Sequence, residues 1–434
     1  MSSSQRYDRR AVFAWAMYDF ANSSYAALVL TFIFSAYFAD QIALNKNVGT
    51  TQWTRALATA AIIVALSSPL LGALADRGGF RKRILFIVTV VCVLCTGSLY
   101  FALPGQVEKA LIFFVISSIA MELGMVFYNA FLPDVAPQEK IGRISGYGWA
   151  LGYFGGLLAM TLALFGFVYP ENPWFGFSKE AGENIRATNM LVAVWFAVFS
   201  IPIFIWVNER VPENRTSFGR LFLSSYQQLR DTFHEIRRYR QIVRLLIARI
   251  FYNDGIVTLY SLGGIIAKTV FDFSFTELMV LGIVLNITAG LGAFTLGFLD
   301  DRIGGKKTIQ ITNLAFILST LIVVFAHSKL IFWGASLITG FFLGPNQAAS
   351  RSLMGRFLPE DKETEFFGFF AFSGKATAFM GPLLVGEVNR IFSSQRAGIA
   401  MVILFFVVGG LILNRVDEDE GKRLSGRAEN IKPK

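Results

Sequence analysis

The sequence has 434 residues, 54% of them hydrophobic and 16% charged, with a formal net charge of +10. A soluble globular chain carries about a quarter charged residues; here the apolar excess falls in repeated runs of roughly twenty residues, long enough to cross ~30 Å of hydrocarbon as helices. The basic residues sit in the short breaks between runs, which excludes a nucleic-acid-binding face, and the runs do not alternate as barrel strands would.

In chain order the runs predict spans at 11–38, 54–75, 84–103, 109–132, 144–168 and 187–207, then at 241–267, 276–298, 308–326, 330–350, 364–386 and 396–414. The predicted fold is an all-α polytopic membrane protein of twelve helices in two six-helix halves. The first half is 1–207 and the second 241–415, with a linker at 208–240 and a charged, mobile tail at 416–434. The linker's arginines and its Phe218, Leu221, Phe222, Leu223 and Phe233 predict an amphipathic interfacial helix. No cleavable leader is expected, because the apolar stretch after Arg6, Arg9 and Arg10 is far longer than a signal core. Cys92 and Cys95 share one apolar run and read as small filler rather than a redox pair. With only His234 and His327 besides, no metal or cofactor is expected. The side with the termini holds 29 of the 40 Lys and Arg residues and the other side's loops 9, so both termini are expected in the cytoplasm.

One motif occurs twice. Gly72-Ala-Leu-Ala-Asp76-Arg77-Gly-Gly79-Phe-Arg81-Lys82 follows the second span, and Gly297-Phe-Leu-Asp-Asp301-Arg302-Ile-Gly304-Gly305-Lys306-Lys307 follows the eighth. Pro137-Gln-Glu-Lys140 and Pro359-Glu-Asp-Lys362 repeat at nearly the same offset, which indicates a parallel six-helix repeat. The glycines permit positive φ in a tight turn. Asp76 and Asp301 could each sit at a helix N-terminus, in the same half or the other one, where negative charge is favoured by ~0.3–1 kcal/mol. The basic residues, Lys82 and Lys307 in particular, could equally be topological anchors.

The duplicated loop, the twelve spans and the basic central loop resemble the major facilitator superfamily along nearly the whole chain. Further stretches narrow the resemblance: Trp15-Ala-Met-Tyr18-Asp19-Phe20-Ala21-Asn22-Ser23, Tyr128-Asn129-Ala-Phe-Leu132-Pro133-Asp134, Pro345-Asn-Gln347-Ala-Ala-Ser350-Arg351-Ser352, and Ser373-Gly374-Lys375-Ala-Thr377 with Gly381-Pro382. Together they look like the vacuolar-effluxer-like branch, whose eukaryotic members release amino acids during autophagy; the lack of long loop insertions resembles its compact prokaryotic members. The resemblance implies a monomeric, multi-pass protein of a bacterial inner membrane, surrounded by lipid. It also implies that the first and fourth helices of each half line the transport cavity.

Charge inside a span is costly, ~2.5–3.5 kcal/mol, and usually faces a cavity or a partner. Tyr18, Asn22 and Tyr25 share one face of the first span, with Asp19 beside them. The fourth span has Glu122, Met125 and Asn129 on one face. The seventh has Arg249, Asn253, Asp254 and Tyr260; Asn286 is near the middle of the eighth; Gln347 is near the end of the tenth; Lys375 is ~15 Å into the eleventh. These are the candidate substrate or coupling residues. The gating candidates are Gly72, Asp76, Arg77, Arg81, Lys82, Asp301, Arg302 and Lys306. Structural alternatives stand beside the functional ones. Asp19 could cap or pair; Glu122 could be fixed to Arg249 or Lys375; Asn286 could be interhelical glue; Tyr25 and Tyr260 could be packing. Gly148, Gly152, Gly155 and Gly156 read as close helix packing, and Gly381-Pro382 as a bend.

No Gly-x-x-x-x-Gly-Lys-Ser/Thr loop is present, so no ATP hydrolysis is expected, and no nucleophile-plus-base set suggests an enzyme. The expected function is secondary transport of a small solute by alternating access, with Asp19, Glu122 and Asp254 available for proton coupling and an amino acid as the favoured substrate. An exporter of amphiphilic compounds, or a membrane sensor on a transporter fold, are the alternatives.

Overall fold

The computed structural model describes residues 8–210, 218–235, 237–360 and 362–426. Ten of its helices are long and apolar enough to cross a membrane. Two more, Arg240–Phe271 and Lys329–Phe357, are as long but carry Arg249, Asn253, Asp254, Asn346, Gln347 and Arg351 within them. The twelve spans in order are Arg9–Ile42, Lys46–Gly78, Arg81–Phe101, Val107–Val135, Gln138–Val168 and Glu183–Trp206, then Arg240–Phe271, Phe275–Ile303, Gly305–Phe325, Lys329–Phe357, Glu363–Phe392 and Gln395–Asn414. All start ahead of the predicted apolar cores, and seven of the twelve also run past them at the other end. The tenth extends seven residues beyond 350, because Leu358-Pro359 is the first X-Pro step after that point; Arg351 and Arg356 therefore lie in a helix rather than in a loop.

Buried apolar side chains form two clusters. One draws on the first six spans, with Trp15, Tyr25, Phe114 and Phe196 at its centre. The other draws on the last six, with Tyr252, Phe316, Phe357 and Phe406, and takes in Val126 and Ala130 of the fourth span. Leu66, Leu94, Val194, Leu314 and Leu411 are exposed, as side chains facing lipid must be.

The halves meet along two seams, second span against eleventh and fifth against eighth. Small residues make these contacts possible. A Cβ on Gly72 would stand 2.4 Å from the Thr364 carbonyl oxygen, and one on Gly146 would stand 2.4 Å from that of Ala293. Gly148, Gly152 and Gly155 bring the fifth span equally close to Asp19, Ser23 and Phe20 of the first. Both seams lie toward the face that carries the termini. The second span packs on Glu363–Lys375, whereas Met380–Phe392 packs on the seventh and twelfth spans of its own half. A Cβ on Gly263, Gly264 or Gly282 would meet no atom within 4 Å, so the halves diverge toward the far face.

Several spans depart from a regular α-helix, and the fifth ends in a π turn at Leu164–Val168. The first widens into π turns at Tyr25–Phe32 and Phe38–Ile42, a distortion common at functional sites. The eleventh breaks between Lys375 and Met380. The bend expected at Gly381-Pro382 falls just upstream, because the proline ring clashes with the carbonyl four residues earlier, that of Ala378.

The linker contains a helix, Phe218–His234; the side chains of Phe218, Leu221, Phe222, Leu223 and Phe233 lie outside the described residues. The tail differs from the mobile segment expected. Glu418–Leu424 is a helix, and Glu418 accepts hydrogen bonds from the N–H groups of Lys306 (3.0 Å) and Gly305 (3.4 Å), at the start of the ninth span. Residues 1–7, with Arg6, and 427–434 lie outside the described residues.

Candidate transport site

Three carboxylates and three cations lie at membrane depth, and they are not equivalent. Asp19 and Arg351 join the first span to the tenth at 2.9 Å, with side chains only 7% and 3% exposed. Arg351 also donates to the Ser145 hydroxyl (2.9 Å), the Ser145 carbonyl (2.7 Å) and the Asn129 amide oxygen (3.3 Å). Its guanidinium lies 4.7 Å from the Trp15 ring, which itself stacks on Tyr128.

Glu122 and Lys375 join the fourth span to the eleventh at 2.7 Å, and here the side chains are 28% and 23% exposed. Lys375 ends the half-helix Glu363–Lys375, where the helix dipole favours a cation. Of the two partners the sequence offered for Glu122, the structure pairs it with Lys375.

Arg249 donates instead to the Phe370 carbonyl (2.8 Å) and the Ser373 hydroxyl (3.0 Å) and lies 3.7 Å from the Phe370 ring centroid. It forms no ion pair among the described residues. Asn253 donates to the Gly374 carbonyl (3.2 Å) and accepts from Gln347 (3.4 Å). Arg249, Asn253 and Gln347 thus grip the chain just ahead of the break. Asp254 is buried, one of its oxygens has no hydrogen-bond partner, and no cation pairs with it among the described residues.

The face shared by Tyr18, Asn22 and Tyr25 turns into the first half's own core. Tyr18 shares a hydrogen bond with Thr89 (2.8 Å), Tyr25 with Ser117 (2.8 Å), and Asn22 donates to the Tyr18 carbonyl (3.0 Å). Asn286 donates to the Gly282 carbonyl of its own helix (2.8 Å). With the exposed Tyr260 it borders a cavity of about 350 Å³ that opens between the halves.

On the face with the termini, each motif aspartate caps a helix of the opposite half. Asp76 accepts from the N–H groups of Thr364 (3.0 Å) and Glu365 (2.9 Å), at the start of the eleventh span. Asp301 accepts from the N–H of Gly142 (2.8 Å) and from the Arg143 guanidinium, at the start of the fifth. The turns that aim them contain Gly79 (φ 64°) and Gly304 (φ 91°).

One guanidinium closes each half among three carboxylates. Arg81 lies 3.2 Å from Asp134, 3.7 Å from Glu363 and 4.0 Å from Glu209. Arg356 lies 2.6 Å from Asp300, 3.6 Å from Asp301 and 3.9 Å from Glu418. Burial pushes the Glu209 carboxyl up, against the pull of Arg81. Lys82 and Lys306 donate to the Val207 and Val416 carbonyls just past the sixth and twelfth spans, both at 2.6 Å. Arg77 bonds to Gln228 of the linker helix, which in turn donates to Glu365. Arg302 is exposed.

The model of the vacuole effluxer Atg22 like family matches residues 137–425, about two thirds of the chain. The chain belongs to that family. The Major Facilitator Superfamily model matches residues 3–160. Among curated relatives, the uncharacterized MFS-type transporter YxiO of Bacillus subtilis is 26% identical over 96% of this chain and 97% of its own length. Autophagy-related protein 22 of Yarrowia lipolytica is 23% identical over 82% of this chain and 74% of its own. Solved structures share the fold at low identity. The human organic anion transporter MFSD10 superposes with a TM-score of 0.72 at 14% identity, over 93% of this chain and 99% of that one. The proton:xylose symporter XylE gives 0.72 at 13%, over 96% and 97%. This Atg22-like chain is therefore a multi-pass secondary transporter of the major facilitator type, not an enzyme.

Sequence reasoning missed Arg351 and Arg356 as buried partners. The signal was present: the next stop signal after Ser350 is Leu358-Pro359, and Gln347 and Arg351 fall four apart on one helical face. Glu209 and Glu418 had no such signal, since each acts from a short segment beyond the last span of its half.

Proposed function

We propose that this Atg22-like transporter moves a small zwitterionic, amino-acid-like solute outward by alternating access, binding it between Lys375 and Glu122. The observation that carries this reading is the Glu122–Lys375 pair. It bridges the two halves at mid-depth, sits at the break of the eleventh span, and is about a quarter exposed, whereas Asp19–Arg351 is sealed. A substrate carboxylate would take the Lys375 ammonium and a substrate amino group the Glu122 carboxylate, exchanging one protein pair for two pairs with the ligand. Arg249, Asn253 and Gln347 would hold the segment that presents Lys375. Asp254 would be the protonation site that couples flux to a proton gradient, since it is a buried carboxyl with one oxygen free of hydrogen bonds and no cation beside it among the described residues. The description of the family as vacuole effluxers supports the outward direction.

In this reading 1–207 and 241–415 rock as two bodies about the midplane, joined by 208–240. Asp76 and Asp301 hold the face with the termini shut, Asp19–Arg351 holds it from within, and the chain works as a monomer. Both termini lie in the cytoplasm of a bacterial plasma membrane, by the basic-residue asymmetry and the similarity to the Bacillus protein, and the conformation described faces outward. A second reading, export of an amphiphile, draws on the largely apolar lining of the 350 Å³ cavity. Flux of an amino-acid panel into proteoliposomes, with and without a pH gradient, separates the two readings. Amino-acid flux that Lys375→Met abolishes and Asp254→Asn uncouples from the gradient supports the first. Unaltered flux in Lys375→Met rejects it. A cysteine placed in 171–183 should react with an external impermeant reagent; labelling only from the inside reverses the orientation.

A further inference from the structure

We infer a phospholipid site on the outer surface of the seam between the fifth and eighth spans. A groove of about 570 Å³ runs there between the halves. The first span forms one wall with Val12, Phe13 and Ala16; Ala150 and Phe154 line it from the fifth; Gly290 and Leu291 line it from the eighth. From Tyr147 to Leu157 it extends about 15 Å at 1.5 Å per residue, half of the ~30 Å hydrocarbon and so the depth of one leaflet.

Its two ends differ in chemistry. At the face with the termini stands Arg9, exposed at the first residue of the first span and in no ion pair among the described residues. At the deep end stand Tyr153 and Asn286, which also line the inner 350 Å³ cavity. The groove therefore meets the transport cavity from the bilayer side, with those two side chains between them.

The occupant that fits is an anionic phospholipid of the leaflet on the side of the termini. Its phosphate lies against Arg9 and one acyl chain fills the groove as far as Asn286. Neutralising an otherwise unpaired arginine at headgroup level favours an anionic over a zwitterionic lipid. The chain also closes the route by which lipid would enter the cavity. Both walls belong to the seam that must open when the halves rock, because Gly146 and Gly297 lock it directly below the groove. Lipid in the groove thus favours the state in which the face with the termini is closed. This site is independent of what the transporter carries.

Native mass spectrometry of the full chain, released from liposomes of equal phosphatidylglycerol and phosphatidylcholine, tests it together with thermal unfolding of detergent-solubilised protein titrated with each lipid. Retained phosphatidylglycerol and a larger rise in Tm with that lipid are expected. Arg9→Gln should weaken its binding roughly fivefold, as loss of one basic side chain at the headgroup predicts. Gly290→Leu fills the groove and should abolish retention of either lipid. Gly290→Ala is the folding control, since its Cβ would meet Tyr153 and Ala150 only at 3.4 and 3.7 Å. Glycerophosphoglycerol, the headgroup without chains, should give no shift. Equal retention of the two lipids with no effect of Arg9→Gln, or undiminished retention in Gly290→Leu, overturns the site.

Discussion

Two ion pairs at membrane depth join the halves of this transporter, and their surroundings separate a strut from an exchangeable contact. Asp19–Arg351 has side chains 7% and 3% exposed, and its guanidinium donates to Ser145 and Asn129 as well. Glu122–Lys375 is a single contact between a carboxylate and a flexible ammonium, each about a quarter exposed. Opening the first leaves two buried charges without their counter-charge and away from water. Opening the second lets water or a solute take over at once. Arginine's rigid fork suits a fixed pair, and lysine's compact charge on a long stem suits an exchangeable one. Polarity alone does not identify a transport site at membrane depth; access to water does.

The largest effect is expected from breaking the sealed pair. Arg351→Met should lower stability by about 3–5 kcal/mol, the usual cost of leaving a buried charge unpaired, and Arg351→Met with Asp19→Asn should recover much of it. Thermal unfolding in detergent measures both; equal stability of the single and double variants would contradict the distinction drawn here. Next come the caps. Asp76→Asn or Asp301→Asn removes a charge-assisted contact to a helix start in the opposite half and should weaken closure by about 1–3 kcal/mol. Ser68→Cys reports it, because Ser68 is buried against Gly368 in the second–eleventh seam: alkylation from the side of the termini should rise in Asp76→Asn.

Lys375→Met sharpens the contrast from the other side. Its pair is partly solvated, so stability should fall by only ~1 kcal/mol or less, while flux of a carboxylated solute should vanish. A large loss of stability would make this pair a strut as well.

The smallest effect is that of acid on the tail. Burial alone would raise the Glu418 carboxyl, but Arg356, Lys422 and the Lys306 N–H outweigh it and hold the group below its ordinary 4.5. A depressed carboxylate contributes its stability above the ordinary value and loses it as pH falls through the lowered one. Docking of Glu418–Leu424 should therefore be constant near neutrality and weaken only below about pH 4.5, read as falling anisotropy of a fluorophore on Leu424→Cys. Release already at neutral pH would mean that Glu418 does not hold the tail.

The chain's own pattern made much of this legible. Apolar run length gave the spans, because hydrocarbon thickness acts on each helix separately. The repeated Asp-Arg-x-Gly loops marked two related halves, because the turn geometry is local and needs glycine. The same reasoning missed the end of the tenth span, where Arg351 looked like a loop anchor, and read the tail as loose, because Glu418 finds its partners only beside the ninth span.

What the sequence by itself determined is therefore the membrane class, the number of spans, the doubled half and, Arg351 excepted, the costly polar residues at membrane depth. Each follows from composition, periodicity or spacing within a few turns of helix. What only the tertiary structure decided is the pairing among those residues: Asp19 with Arg351, Glu122 with Lys375, Asp76 with the start of the eleventh span and Asp301 with the start of the fifth. These partners lie 158 to 332 residues apart, and many cations of the same kind compete for each carboxylate. Electrostatic attraction does not discriminate among them, so the choice is made by the seams between halves, where glycine lets two backbones touch and brings one candidate within reach.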